Sequence, residues 1–159
     1  METLDIQPIN QKYFNELLFW GNEVDKLCRQ NNIQPIVYGS LAYIFYTHDK
    51  GVAINDIDFL VPEDSFLKII ELVKTIPETS CQTTDWHSVI FFKDGYKIEC
   101  DGIEYYLKNI DFQVITATIN GKEFELIDKE ALKSVYHQGS ENIPTKKDVY
   151  SYKLQKLLG

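Results

Sequence analysis

Residues 36–61, IVYGSLAYIFYTHDKGVAINDIDFLV, decide the fold. Ile36-Val37-Tyr38 follows Pro35 and reads as a short buried strand, and Gly39-Ser40 opens a helix that runs through Leu41-Ala42-Tyr43-Ile44-Phe45. After the polar loop THDKGVAIN, residues 56–61 read as a second strand, which Pro62 ends by withdrawing a backbone donor. Residues two apart on a strand share a face, so Asp56 and Asp58 project side by side while Ile57 and Phe59 turn into the core.

Upstream, Tyr13, Leu17, Trp20, Val24 and Leu27 recur every three or four positions, which marks an N-terminal amphipathic helix over 10–32. Downstream, PEDSFLKIIELVKTI reads as a helix over 62–76. Its proline and two acids stand near the start, as the helix dipole prefers, and Phe66, Ile69, Ile70 and Val73 face inward. HSVIFF and YKIECD are strands joined by Lys93-Asp94-Gly95, a hairpin-turn signal. DFQVITATI and EFELI form another strand pair across Asn120-Gly121. From 129 to 158 apolar and charged residues alternate at helical spacing around a break near Pro144. Strands and helices in this order predict an α+β (α/β) fold, a mixed sheet with helices packed on it, in a single domain spanning 1–159.

The charges pose a chemical question. Two carboxylates side by side repel unless a cation sits between them, and a divalent metal is the natural one. Magnesium prefers hard oxygen ligands, one or two carboxylates completed by substrate phosphates and water. The pair therefore points to a metal held together with a phosphate-bearing ligand, although an exposed strand end would also accommodate it. Gly39 lets the backbone approach a ligand closely, and Ser40 at a helix start can offer its hydroxyl and free N–H groups to a phosphate or act as a simple cap. A third carboxylate opposite the pair is needed for two-metal phosphoryl chemistry. Glu99 is the first candidate and Asp101, two residues on and on the same face, is the alternative third ligand.

These three pieces, Val37-Tyr38-Gly39-Ser40, Asp56-Ile57-Asp58-Phe59 and Ile98-Glu99-Cys100, resemble the nucleotidyltransferase superfamily that includes DNA polymerase beta. The resemblance covers roughly residues 35–101, and with Lys146-Lys147-Asp148 it extends to small members of the lincosamide antibiotic and abortive-infection types. It implies a metal-dependent transfer of a nucleoside monophosphate from an NTP such as ATP to a hydroxyl, with release of pyrophosphate. Asp56, Asp58 and Glu99 would be the catalytic, metal-binding residues for Mg2+ (or Mn2+), with Glu99 also activating the acceptor hydroxyl. Gly39 and Ser40, joined by Lys146 and Lys147, would hold the NTP.

Composition narrows the rest. The 159 residues carry a net charge of -8 and are 44% hydrophobic, with a pI near 4.8. Such a chain is poorly suited to avid, non-specific nucleic-acid binding, so a small molecule or a protein side chain is favoured over tRNA as the hydroxyl acceptor. Cys28, Cys81 and Cys100 have no metal-ligand spacing and are expected to be reduced, buried thiols. No signal peptide or membrane span is visible, which predicts a soluble, cytoplasmic protein. His48 and His87 read as structural or surface histidines. Trp86, Tyr105 and Tyr106 read as core residues or as platforms for a base or ring. Two other roles are compatible with the sequence: a catalytically silent nucleotide- or partner-binding module, and a toxin with an antitoxin partner. The acceptor pocket is left to the C-terminal helices, to the pair around Asn120-Gly121, or to a second subunit in a homodimer.

Overall fold

The computed structural model describes residues 2–5 and 11–159, and the side chains of all of these but Leu4 and Gln11. Asn10, the first residue of the expected N-terminal helix, lies outside the described residues. Eight strands and six α-helices follow one another along the described chain: β1 (Glu2–Leu4), α1 (Gln11–Arg29), β2 (Ile36–Tyr38), α2 (Gly39–Thr47), β3 (Asp56–Val61), α3 (Phe66–Val73), β4 (Ser80–Thr83), β5 (Ser88–Lys93), β6 (Tyr96–Gly102), α4 (Ile103–Tyr106), β7 (Val114–Ile119), β8 (Lys122–Ile127), α5 (Lys129–Asn142) and α6 (Lys147–Leu158). One mixed sheet takes all eight strands in the order β1-β7-β8-β2-β3-β6-β5-β4.

The site lies on the middle strands. β2 runs antiparallel to β3 with Tyr38 opposite Asp58. β3 runs parallel to β6, which sets Asp56 beside Lys97 and Asp58 beside Glu99. β5 returns antiparallel to β6 and brings Ser88 opposite Asp101. Partners in a ladder share a face, so these pairings collect the polar side chains on one side of the sheet.

On the other side α1 lies so close that a Cβ on Gly21 would overlap the Ile57 side chain and reach that of Ile98. Phe14, Leu17, Leu18, Trp20 and Val24 bury the inner stripe of this helix, and α3 adds Ile69 and Val73. The polar side is covered by α2, α5 and α6, so β3 is enclosed from both directions; Leu60, on the same face as Asp58, is fully buried like Ile57 and Phe59. Asp128 caps α5 by accepting from the Ala131 N–H at 3.1 Å. The expected break near Pro144 is a 3-10 turn (Pro144–Lys146) between α5 and α6.

Three local expectations are corrected. The helix expected over 62–76 begins as a 3-10 turn, Glu63–Ser65, before α3, because Ser65 Oγ and N–H both bond back to the Pro62 carbonyl at 2.6 and 3.0 Å and tighten that turn. The edge strands β1 and β4 were not expected: β4 is exposed at all four positions and has no apolar alternation to announce it. Its Cys81 is therefore exposed, whereas Cys28 and Cys100 are buried, and all three are free thiols. Among the described residues no helix is long and apolar enough to cross a membrane.

Candidate active site

β2 runs straight into α2 with no linking residue, and this reversal depends on Gly39, whose φ of +67° favours glycine. The tight turn sets Ser40 at the mouth of a cleft of about 310 Å³. Asp56 and Asp58 from β3, Glu99 and Asp101 from β6, and residues of α5 and α6 form its walls. The metal-binding and NTP-binding candidates read from the sequence all line it except Lys147, which is exposed at the start of α6; Lys146 is at the rim.

One carboxylate oxygen each of Asp58, Glu99 and Asp101 lies within 4.8 Å of the others, and among the described residues this is the one such acidic or metal-ligating trio. Asp56 sits beside it and meets Lys97, whose Nζ is 3.5 Å from Asp56 Oδ2 and 3.9 Å from Glu99 Oε1. Burial, then the charges of Asp56, Asp101 and Glu99, push Asp58 well above the usual carboxylate range, and Lys97 opposes them only in part. A half-buried set of hard oxygen donors with surplus negative charge fits a divalent cation.

Asp101 is the deepest member, 1% exposed. Ser88 Oγ donates to its Oδ1 at 2.6 Å, and Tyr38 Oη donates to Oδ2. Burial and neighbouring Glu99 push Asp101 up as well. Both Asp101 oxygens are engaged by protein hydroxyls, whereas the Glu99 side chain retains 24% exposure and lines the cleft.

Opposite the acids stands a cation that the sequence reading missed. Lys153 on α6 donates to Ser40 Oγ at 2.9 Å. Its Nζ lies 5.3 Å from the ring centre of Tyr43 and 5.5 Å from that of Tyr136, a spacing at which aromatic faces attract a cation. Burial lowers its pKa from the ordinary lysine value, against the pull of Asp58. Tyr152, next along α6, donates to Asp49 at 3.0 Å and pins the helix to the end of α2. The buried Tyr136 hydroxyl has no hydrogen-bond partner among the described residues, and Asp58 is the charge acting most strongly on it. No sequence signal marks Lys153, since its partners come from α2 and α5. Lys97 was missed too, although the two-residue strand period that puts it on the face of Glu99 could have found it.

The remaining candidates lie outside the cleft, apart from Tyr106, which lines it and donates to the Trp86 carbonyl at 2.8 Å. Trp86 and Tyr105 are exposed, at 70% and 47%, rather than core. Tyr105 stacks on His87 at 4.2 Å, and His87 Nδ1 is 2.6 Å from Glu63. His48 has a left-handed backbone and ends α2.

No protein-family model matches the chain, and no curated protein matches it in sequence. Solved structures do match. ANT(2″)-Ia, in complex with adenylyl-2″-tobramycin, superposes with a TM-score of 0.65 at 13% identity over 89% of each chain. The lincosamide antibiotic adenylyltransferase LnuA, lincomycin-bound, gives 0.62 at 14% identity over 91% of this chain and 96% of that one. A nucleotidyltransferase-like protein from Thermotoga maritima gives 0.58 at 15% identity over 87% and 92%. The chain thus has the nucleotidyltransferase fold over most of its length.

Proposed function

We propose that the chain is a metal-dependent nucleotidyltransferase that moves a nucleoside monophosphate from an NTP to a hydroxyl acceptor and releases pyrophosphate. The observation that carries this reading is the face shared by Asp56, Asp58 and Glu99 across the parallel β3–β6 pair, set opposite Ser40 and Lys153. Acids for metal on one wall and phosphate donors on the other are what phosphoryl transfer requires.

Asp56, Asp58 and Glu99 would hold Mg2+ or Mn2+, with Asp101 supporting Glu99 from behind. When bound, the metal would supply a Lewis acid that neutralises the charge of the triphosphate and of the leaving pyrophosphate. Ser40 Oγ, the backbone around Gly39, Lys153 and Lys146 would bind and orient the triphosphate. Glu99, exposed to the cleft, would accept the proton of the acceptor hydroxyl as its oxygen bonds to the α-phosphorus and the bond from that phosphorus to the pyrophosphate oxygen breaks. Much of the rate would come from holding the two oxygens in line.

The solved structures named for tobramycin and lincomycin support a small molecule as the acceptor and make ATP the first nucleotide to test. Calorimetric titration of the four NTPs, with and without Mg2+, into the parent and into Asp56→Ala/Asp58→Ala is the direct experiment. Mg2+-dependent binding confined to the parent is expected, and the preferred NTP then enters a pyrophosphate-release screen of hydroxyl acceptors. A folded parent that binds no NTP would sink the reading and favour a silent module.

A further inference from the structure

Lys97 is placed where a cation is needed. Across the parallel strands it faces Asp56, and it shares a face with Glu99 two residues on. Its ammonium is 3.5 Å from Asp56 and 3.9 Å from Glu99, the two carboxylates either side of Asp58, and its side chain is 37% exposed. These separations exceed the roughly 2.7–2.9 Å of a close charge-assisted hydrogen bond, so the ammonium is shared between two acids and locked to neither. Among the described residues it is the one basic side chain within 4.0 Å of the four clustered carboxylates. A lysine is a point charge on a flexible stem, able to change partners without moving the backbone.

We propose that Lys97 is a tethered cation that holds the metal's place: it bridges Asp56 and Glu99 in the ligand-free protein and transfers to a phosphate oxygen when metal and nucleotide enter together. The proposal rests on the nucleotidyltransferase reading of the cleft. Metal arriving alone must displace the ammonium while offering it no new anion. Metal arriving with a triphosphate supplies that anion. Metal and nucleotide therefore strengthen each other's binding, by the same factor in both directions. The four acids are meanwhile partly neutralised without metal, which keeps the empty cleft from being forced open by their repulsion.

The test is calorimetric titration of Mn2+ in the absence and presence of a non-hydrolysable ATP analogue, using the parent, Lys97→Met and Lys97→Gln, each checked for folding by thermal denaturation. The parent should bind Mn2+ weakly alone and roughly tenfold or more tightly with the analogue, within the range usual for coupled sites. In Lys97→Met, Mn2+ alone should bind about tenfold more tightly than in the parent and the coupling should shrink by a similar factor. Lys97→Gln removes the same charge and gives the same reading should the Met variant not fold. Unchanged or weaker binding of Mn2+ alone in a folded variant, or unchanged coupling, would overturn the proposal while leaving the nucleotidyltransferase reading intact. A parent that binds neither Mn2+ nor the analogue would overturn both.

Discussion

Gly39 lies directly against the Asp58 carboxylate: a Cβ at position 39 would overlap Asp58 Oδ2 and crowd its Cγ and Cβ, at 3.1 and 3.2 Å. The turn that starts α2 and the acid on β3 are thus fitted to each other. Gly39 has a φ of +67°, which a side chain would strain.

Gly39→Ala combines both penalties. The variant should lose stability on the order of 1–3 kcal/mol for the backbone strain alone, and Mg2+-dependent NTP binding should fall because Asp58 is pushed aside. Denaturant titration and calorimetry check the two effects. A variant as stable and as competent as the parent would contradict the observed contact.

Asp58→Asn should separate stability from binding. Burial and three neighbouring carboxylates raise the folded-state pKa of Asp58. Without metal, its stabilising contribution is therefore present at low pH and lost as pH rises through that raised value. At neutral pH the metal-free Asn variant should melt at the parent's temperature or higher, yet show no Mg2+-dependent NTP binding. His48→Ala, at the end of α2 and outside the cleft, should bind nearly as the parent does. Equal binding by the parent and Asp58→Asn would mean the site is misassigned.

Glu99→Gln and Asp101→Asn should differ in kind. Glu99 faces the cleft, so its loss should abolish turnover with little change in stability. Asp101 is held by Tyr38 and Ser88, so its replacement disturbs a buried hydrogen-bonded group and should cost about 1–3 kcal/mol while leaving reduced turnover. Abolished turnover in Asp101→Asn alone would make Asp101 the third ligand.

Lys153→Met keeps a stem against Tyr43 and Tyr136 but removes the ammonium that meets Ser40. Hydrogen bonds to charged groups contribute about 1.5–3 kcal/mol, so NTP affinity should fall roughly 10- to 100-fold. Nucleoside affinity should change far less. Equal losses for NTP and nucleoside would instead indicate a displaced α6.

Asp25 provides a pH signature remote from the cleft. It is buried on α1, where Arg29, the chain's one arginine, reaches it at 2.9 Å and Glu125 at 3.0 Å. Burial outweighs Arg29 and pushes Asp25 up to about 6. A raised carboxylate stabilises below its unfolded value near 4 and loses that contribution as pH rises through about 6, a change of ~3 kcal/mol. The stability of Asp25→Asn relative to the parent should accordingly increase between pH 4 and pH 7 in denaturant titrations. A difference constant over that interval would contradict the burial.

The features legible in the sequence are local ones. Ile36-Val37-Tyr38, the Gly39-Ser40 helix start, the Asp56-Ile57-Asp58 alternation and the hairpin through Asp94-Gly95 each follow from a two-residue or helical period, or from turn chemistry. Edge strand β4, Ser-Cys-Gln-Thr, has no such period and forms because β5 offers it a ladder. The exposure of Trp86 and Tyr105 was likewise hidden, since an aromatic residue does not announce whether anything will cover it.

The sequence by itself determined that Asp56 and Asp58 share a face, that Glu99 and Asp101 share another strand's face, and that Ser40 opens a helix, because backbone geometry alternates side chains whatever surrounds them. Only the tertiary structure decided that the two acid pairs stand together, through the β3–β6 register. It also decided that Asp101 is buried behind Tyr38 and Ser88, and that Lys153 returns to Ser40 from 113 residues away. Those relationships depend on which strands become neighbours and which helix covers them, and no period within a single segment carries that information.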